Sequence, residues 1–159
     1  MKPSARGIVE VQMNIEPATL ADLEDLAALL RAQFAEHDIS LDEQRIRAAI
    51  CGPLDDPRLG TFLIARDEVP RGFAYFSYTW TLEHGGKSAW LEELYVVPSA
   101  RSRGVGTSLL RTVITHARRA GCAAIDLEID ANHLRAGRLY EQEGFIWHRR
   151  SRCFLKLDG

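Results

Sequence analysis

Residues 91–106 read LEELYVVPSARSRGVG and join a strand pattern to a helix pattern through a glycine-containing segment. The apolar and β-branched residues over 89–97 predict a strand. Over 105–120, apolar residues recur at spacings of three and four, which predicts an amphipathic helix ended by Gly121. Between the two lies Arg101-x-x-Gly104-x-Gly106, so we expect the chain to pass from strand to helix through a short loop.

The loop has the composition of an anion-binding segment. Its two glycines let the backbone approach a ligand closely, and the next helix offers N–H groups and the positive end of its dipole. Arg101 and Arg103 add charged donors, so the segment suits a pyrophosphate. A strand-to-helix turn that merely contains glycine is the alternative. The dinucleotide-binding fingerprint is incomplete, since Leu109 stands where its third glycine belongs.

Hydrophobic periodicity and turn residues predict the elements on both sides of this stretch. Upstream they predict a loose tail over 1–7, a strand over 8–15, a helix capped by Thr19, a second helix from Ser40 to Gly52-Pro53, and strands over 61–65 and 72–81. Downstream they predict a strand over 123–129, a helix over 133–143, and two last strands within 145–157.

This order of elements predicts an α/β fold. The tight turns between the three central strands favour an antiparallel meander, and the strand-helix-strand crossover that follows requires one parallel pair. We therefore expect a single domain over 8–159, with a mixed, mostly antiparallel, twisted sheet of six to seven strands flanked by four helices.

Composition excludes several classes of protein. The 159 residues carry 20 Lys+Arg and 22 Asp+Glu, and a net charge of −2 argues against a nucleic-acid partner. The sequence shows no apolar run near the roughly 18 residues of a membrane span, and its first residues lead us to expect no secretory signal. Three widely spaced cysteines form neither a disulfide framework nor a metal motif. We expect a soluble, cytoplasmic protein without a metal or a membrane partner.

Two motifs in sequence resemble those of a known family. The run LEELYVVPSARSRGVGTSLL, followed by ANHLRAGRLYEQEGF, resembles the GNAT superfamily of N-acetyltransferases, and the likeness covers essentially the whole chain. The stretch from Phe73 through the LEELYV strand is similar to bacterial small-amine and diamine (spermidine/spermine-type) enzymes. The resemblance implies transfer of an acetyl group from acetyl-CoA to a primary amine of a small cationic molecule, by direct attack in a ternary complex.

The resemblance also implies which residues hold the cofactor. The strand would splay from its neighbour so that the backbone of Leu94, Tyr95 and Val96 pairs with the pantetheine arm, with an N–H near Val96 polarising the thioester carbonyl. The pyrophosphate would lie on the backbone of Arg101, Ser102, Arg103, Gly104, Val105, Gly106 and Thr107. Where the family has asparagine this chain has His133, so a further contact comes from Asn132, from His133 or from neither.

Two residues match the family's acid and base positions. Glu92 is the candidate base; strand alternation would turn Glu93 to the opposite face, so one of the pair is expected to face the site. A solvated strand edge, an ion pair with arginine, or a base acting through water are the alternatives. Tyr140, in the context L-Y-E-x-x-G-F, matches the general acid toward the CoA sulfur, and a helix-face core aromatic is its alternative.

The acceptor site has three candidate residues. Tyr78 and Trp80 share a face of their strand and would wall a pocket, unless they simply pack in the sheet. Glu36 belongs to an acidic cluster at the junction of the first two helices, which would attract a cationic amine. A peptide or protein N-acetyltransferase and a non-catalytic acyl-CoA sensor are the alternative functions, and the resemblance suggests a homodimer.

Overall fold

A mixed sheet forms the centre of the fold in this computed structural model, which describes residues 13–130 and 132–157. Within those ranges the sheet has five strands in chain order: β1 Asn14–Pro17, β2 Gly60–Arg66, β3 Pro70–Thr81, β4 Gly86–Val96 and β5 Ile125–Leu127. β1 to β4 pair with one another in antiparallel succession, and β5 lies parallel to β4. The predicted meander and the predicted parallel crossover are both confirmed.

Four helices accompany the sheet in the described residues: α1 Leu23–Glu36, α2 Glu43–Asp55, α3 Val105–Arg119 and α4 Leu134–Gln142. The predicted α/β class is therefore confirmed. The chain divides into two compact units, Met1–Glu128 and Ile129–Gly159; the first holds the sheet with α1 to α3, and the second holds α4. One domain over 8–159 stays a prediction, and the tail expected over 1–7 lies outside the described residues.

Capping side chains mark where the N-terminal helical segments begin, and Thr19 precedes a 3-10 turn, Leu20–Asp22, that leads into α1. The Asp22 carboxylate accepts from the Thr19 backbone N–H at 2.8 Å, as the sequence predicts. Asp42 accepts from the Arg45 N–H at 2.8 Å, so α2 begins at Glu43 and not at the predicted Ser40.

The second helix also ends later than predicted. It continues through Gly52-Pro53 to Asp55, where the N–H of Asp56 bonds the Gly52 carbonyl oxygen. A residue before proline normally leaves the helical region because its Cβ crowds the ring, and glycine has no Cβ. Gly52 therefore lets α2 pass through a proline that the sequence pattern treats as a stop.

The sheet is covered by helices on both faces. On one face α1 and α2 bury Leu26, Leu30 and Ile50 against sheet side chains that include Phe73 and Tyr95. On the other face lies α3, whose inward residues Leu109, Leu110 and Val113 are fully buried. Apolar burial on both faces fixes the sheet as a middle layer and sets the side to which each strand residue points.

The two strands expected within 145–157 are not formed. These described residues have neither helix nor strand, and Ile146, Phe154 and Leu155 are exposed. A strand needs a neighbour to satisfy its backbone N–H and C=O groups, and a lone hairpin is marginal in water. The alternation of apolar residues in this segment predicts two strands, and this prediction is wrong because the segment has no partner strand among the described residues.

Two predicted strands differ in extent from the observed ones. β1 runs from Asn14 to Pro17, whereas the prediction covers 8–15, of which residues 8–12 lie outside the described ranges. β5 keeps three residues of the predicted 123–129, since its pairing with β4 ends at Leu127. Pairing partners, which local pattern does not specify, set both limits.

The close approach of β3 and β4 predicts a strict requirement for glycine at position 72. A Cβ at Gly72 would lie 2.4 Å from the Tyr95 carbonyl oxygen, so Gly72→Ala should lower the free energy of unfolding by about 1–3 kcal/mol in urea denaturation. Gly86→Ala in the same sheet is the control, because nothing lies within 4 Å of its Cβ. Equal stabilities for the two variants would contradict the predicted backbone clash.

Candidate active site

The fourth strand loses one of its two neighbours halfway along its length. Parallel pairing of β4 with β5 covers Ala89 to Leu91 and ends there. From Glu93 to Val96 the described pairing of β4 is with β3 alone. Among the residues that the structure describes, the edge of β4 beyond Leu91 therefore has no strand partner on the β5 side, and an extended ligand can add to such an edge.

A β-bulge lies at the point where the two strands part. Tyr75 of β3 is opposite Glu93 and Phe76 is opposite Leu91, so Glu92 is an extra residue without a partner in the register. The Ser77 hydroxyl donates to the Glu92 carboxylate at 3.2 Å.

The bulge changes the direction of one carboxylate. Ser77 and Tyr75 are two residues apart and share a face of β3, so Glu92, bonded to the first, and Glu93, opposite the second, lie on that same face. It is the face that α1 covers, because Glu93 bonds Gln33 of that helix. The expectation that Glu92 and Glu93 point to opposite faces is therefore wrong.

The two bulge carboxylates differ in environment. Glu92 is exposed, whereas burial raises the pKa of the Glu93 carboxyl and the charge of Glu92 raises it further. Glu93 accepts a hydrogen bond from the Gln33 side-chain amide. Gln33 is 6% exposed, and its Oε1 has no hydrogen-bond partner among the described residues. Such a buried orphan acceptor costs about 1–3 kcal/mol.

Sequence reasoning missed Gln33, although a signal was present. Gln33 lies seven residues after Leu26 and four after Leu29, on the apolar face of α1. A polar residue on a buried helix face needs a partner inside the protein. The partner, Glu93, is distant in sequence, so local pattern does not identify it.

A second cluster connects the end of α1 to the glycine loop. The Arg101 guanidinium donates to both oxygens of Glu36, at 2.7 and 2.8 Å, and to the Val96 carbonyl oxygen at 2.9 Å. The buried Tyr95 hydroxyl donates to Glu36 at 2.9 Å. The hydrogen bond from Arg101, followed by that from Tyr95, holds the pKa of Glu36 below its ordinary value. Three residues predicted for separate roles therefore hold one another.

Glu43 and Asp42, which belong to the same acidic cluster, are also paired with arginine. Glu43 accepts from Arg31 at 2.7 Å and lies 3.0 Å from Arg47. Asp42 caps α2 and lies 3.6 Å from Arg45. The expected attraction of this junction for a cation is thus offset by its own arginines, whereas the carboxylates of the bulge are bonded to neutral side chains.

The glycine loop has the geometry of an anion site. Gly104 is the N-cap of α3 and has a φ of +80°, a backbone conformation that residues with a side chain rarely adopt. Nothing lies within 4 Å of the position that a Cβ would take at Gly104. The Ser108 N–H bonds the Gly104 carbonyl oxygen, and helix geometry leaves the N–H groups of 105–107 without intrahelical acceptors. The space beside the Gly104 Cβ position therefore leaves these donors accessible to an anion.

Tyr78 and Trp80 lie away from the bulge carboxylates. Tyr78 shares the α3 face of β3 with Phe76, and their rings meet edge to face at 5.7 Å. The Lys87 ammonium lies 3.9 Å from the centre of the Tyr78 ring, and Trp80 is 76% exposed. The structure therefore does not bring these two rings together with Glu92 or Glu36 on the α1 face.

The remaining candidates belong to the second compact unit. Tyr140 lies on α4, half-buried, with its ring 5.5 Å from that of Phe145 in an edge-to-face contact. Asn132 and His133 precede the helix and are exposed, and the Gly137 N–H bonds the His133 carbonyl oxygen. The first family motif therefore runs from β4 into α3, and the second contains α4.

The chain belongs to the acetyltransferase (GNAT) family, whose model matches residues 23–145. It is similar to the mouse thialysine N-epsilon-acetyltransferase, with 29% identity over 141 residues that cover 80% of this chain and 81% of that protein. It is also similar to the aminoglycoside N(6')-acetyltransferase type 1 of Klebsiella aerogenes, with 30% identity over 72% of this chain and 76% of the relative.

Solved structures show the same fold. The aminoglycoside acetyltransferase AAC(6')-Iy, bound to a bisubstrate analogue of CoA and acetylneamine, superimposes with a TM-score of 0.80 at 21% identity, covering 92% of this chain and 99% of that one. As a member of the family, the protein is an N-acetyltransferase that uses acetyl-CoA. The resemblance read from its two motifs is confirmed.

Two further observations concern the described ranges, 13–130 and 132–157. None of their helices combines the length and the apolar character that a membrane crossing requires. No group of three or more His, Cys, Asp or Glu side chains in them is placed to hold a metal ion.

The Glu36–Arg101 pair predicts a stability difference that depends on pH. At pH 7, Glu36→Gln should lower the free energy of unfolding by roughly 0.5–1 kcal/mol, the size of an exposed ion pair. The folded protein holds the pKa of Glu36 below its ordinary value. The ion pair therefore stabilises the protein fully at pH values above the pKa of Glu36 in the unfolded chain, and this stabilisation is lost as the pH falls through the pKa of Glu36 in the folded protein. Urea denaturation at several pH values measures it, with the exposed Glu68→Gln as control. A difference that persists in acid would contradict the ion pair.

Proposed function

We propose that the protein acetylates a primary amine of a small cationic molecule, by direct attack on acetyl-CoA in a ternary complex. The observation that carries this proposal is the bulge of β4, which places the carboxylates of Glu92 and Glu93 on one face at the point where β4 leaves β5. An opened strand edge for the cofactor and negative charge for the amine thus occur together.

Backbone groups of two segments would hold the cofactor. The open edge over 94–96 is suited to the pantetheine arm, and the loop and first turn over 102–107 are suited to the pyrophosphate. Arg101 is assigned to holding the loop, because Glu36 and Val96 engage its guanidinium. A contact from Asn132 remains part of the proposal. Acetyl-CoA supplies the thioester from which the acetyl group is taken.

Residues of the protein would then carry out the two proton transfers of the reaction. An amine with a pKa near 10 must lose a proton before it attacks, and Glu92 would take that proton directly or through water. The N–H of Val96 would donate to the thioester carbonyl oxygen. Tyr140 would protonate the departing sulfur, a modest task because a thiol has a pKa of about 8.5.

The names of the relatives support the acceptor class. The mouse relative is named for thialysine and the Klebsiella relative for aminoglycosides, both amine substrates of those proteins. A peptide or protein acceptor and a non-catalytic sensor are the other outcomes of the test. A cytoplasmic location and a homodimer stay predictions. Light scattering of the purified protein would measure its mass in solution and so test the homodimer.

The direct test is acetyl-CoA turnover, followed by thiol release against a panel of amines. We expect release with small cationic amines and none in Gly104→Trp, whose side chain would fill the space beside the α3 N-terminus. Release with a peptide alone would favour a protein acceptor. CoA binding without release under any condition would favour the sensor.

The proposed base and acid roles of Glu92 and Tyr140 predict a loss of turnover when either residue is replaced. Glu92→Gln should lower kcat by about 100-fold or more, because general base catalysis contributes on that scale, while Glu68→Gln leaves it unchanged. Tyr140→Phe should lower kcat by about 10- to 100-fold and retain affinity for CoA in calorimetry. Unchanged turnover in either variant would remove that residue from the mechanism.

A further inference from the structure

We propose that Glu36 is a positioning residue of the reaction: through Arg101 it fixes the peptide group after Val96, and so the direction of the Val96 N–H toward the thioester carbonyl. This inference rests on the proposed function, in which that N–H polarises the thioester. It assigns a role to an ion pair that the proposed acid and base chemistry does not use.

The backbone groups of Val96 are turned toward the unpartnered edge of β4. The Val97 N–H donates to the Arg71 carbonyl oxygen at 2.9 Å, so Val97 is turned toward β3. Successive residues of an antiparallel strand turn their N–H and C=O groups to alternate sides, so those of Val96 lie on the other side. On that side β4 has no strand partner beyond Leu91 among the described residues. The Val96 N–H therefore faces the side on which an extended ligand would pair.

Two hydrogen bonds hold the peptide group between Val96 and Val97. Its carbonyl oxygen accepts from the Arg101 Nε–H at 2.9 Å, and its N–H donates to Arg71 at 2.9 Å. Because a peptide group is planar, bonds at both ends fix its orientation. The Val96 N–H is joined to this group through the Cα of the same residue, so the contact from Arg101 also limits the direction of that N–H.

Glu36 keeps Arg101 in the position that this contact needs. The guanidinium donates through Nε to Val96 and through Nη2 to both oxygens of Glu36, at 2.7 and 2.8 Å. The Glu36 carboxylate accepts a further hydrogen bond from the buried Tyr95 hydroxyl at 2.9 Å. The Arg101 side chain is 37% exposed and would otherwise sample several rotamers. The last residue of α1 thus anchors the end of β4 through one side chain.

Binding of the pyrophosphate is the other role that an arginine in the glycine loop can have. The bonds of Arg101 to Val96 and Glu36 favour positioning, because Nη2 would have to leave Glu36 to reach a phosphate. CoA and acetyl-CoA distinguish the two roles, since both carry the pyrophosphate and only acetyl-CoA carries the thioester carbonyl. Loss of a phosphate contact weakens the binding of both molecules, whereas loss of positioning lowers the rate and leaves the affinity for CoA in place.

The kinetic test uses Glu36→Ala, which removes the anchor, and Arg101→Lys, which keeps the charge without the fork that reaches both acceptors. In thiol-release assays we expect kcat to fall by about 10- to 100-fold in each, the scale of a misplaced donor, while calorimetry shows an affinity for CoA within about twofold of the wild type. Glu36→Gln, which keeps an acceptor oxygen, should lose less. An unchanged kcat, or an affinity for CoA that falls as much as kcat does, would overturn the positioning role.

Glu43→Ala is the matched control. Glu43 also belongs to the acidic cluster and forms ion pairs, but its partners are Arg31 and Arg47 of the first two helices instead of the glycine loop. We expect this variant to keep the kcat and the CoA affinity of the wild type. A loss of kcat equal to that of Glu36→Ala would show a general effect of the helix junction and would contradict the proposal.

Infrared difference spectra of bound acetyl-CoA, isotope-labelled at the thioester carbonyl, test the positioning apart from turnover. A hydrogen bond lowers the carbonyl stretching frequency, so we expect a downward shift in the wild type and in Glu43→Ala that is smaller in Glu36→Ala and Arg101→Lys. That pattern supports the positioning role even when no amine is acetylated, the result that contradicts the proposed function. Turnover with the same frequency in all four proteins overturns the positioning role and leaves the proposed function standing. Thermal unfolding verifies that each variant is folded.

Discussion

The change of partner along β4 is the constraint on which the rest of the site depends. Up to Leu91 the strand lies between two neighbours, and beyond it β3 alone pairs with it among the described residues. Backbone N–H and C=O groups that lose a strand partner must bond elsewhere, so an open edge in the middle of a sheet is a place for a ligand. The bulge at Glu92 lies at the same position and turns a second carboxylate toward α1.

Pairing of charges decides which acidic residues remain suited to a cation. At the helix junction Glu43 and Asp42 are matched with arginines, and Glu36 joins Arg101 of the glycine loop. Those contacts link α1 to α2 and α1 to the loop, so they act on structure more than on recognition. Glu92 and Glu93 are held by a hydroxyl and an amide, which leave the carboxylate charge in place.

Much of the fold follows from local pattern. Central strands, the amphipathic α3 and the crossover are all found where the periodicity predicts them, because each depends on residues close in sequence. The predictions fail where contacts distant in sequence determine the structure. Residues 145–157 have strand periodicity but no partner strand among the described residues. The helix α2 continues through Pro53 because Gly52 precedes it. Tyr78 lies on the other face of the sheet from the carboxylates of Glu92 and Glu93, and this too depends on which face each helix covers.

By itself the sequence determined the family and the glycine loop, and it pointed to Glu92 as the candidate base, since these depend on contiguous residues and their spacing. Tertiary structure alone decided that Glu93 shares a face with Glu92, that Gln33 lies beneath it, and that Arg101 bonds Glu36. Each of these contacts joins elements far apart in the chain, and a one-residue bulge reverses the direction of a side chain without any change in local composition.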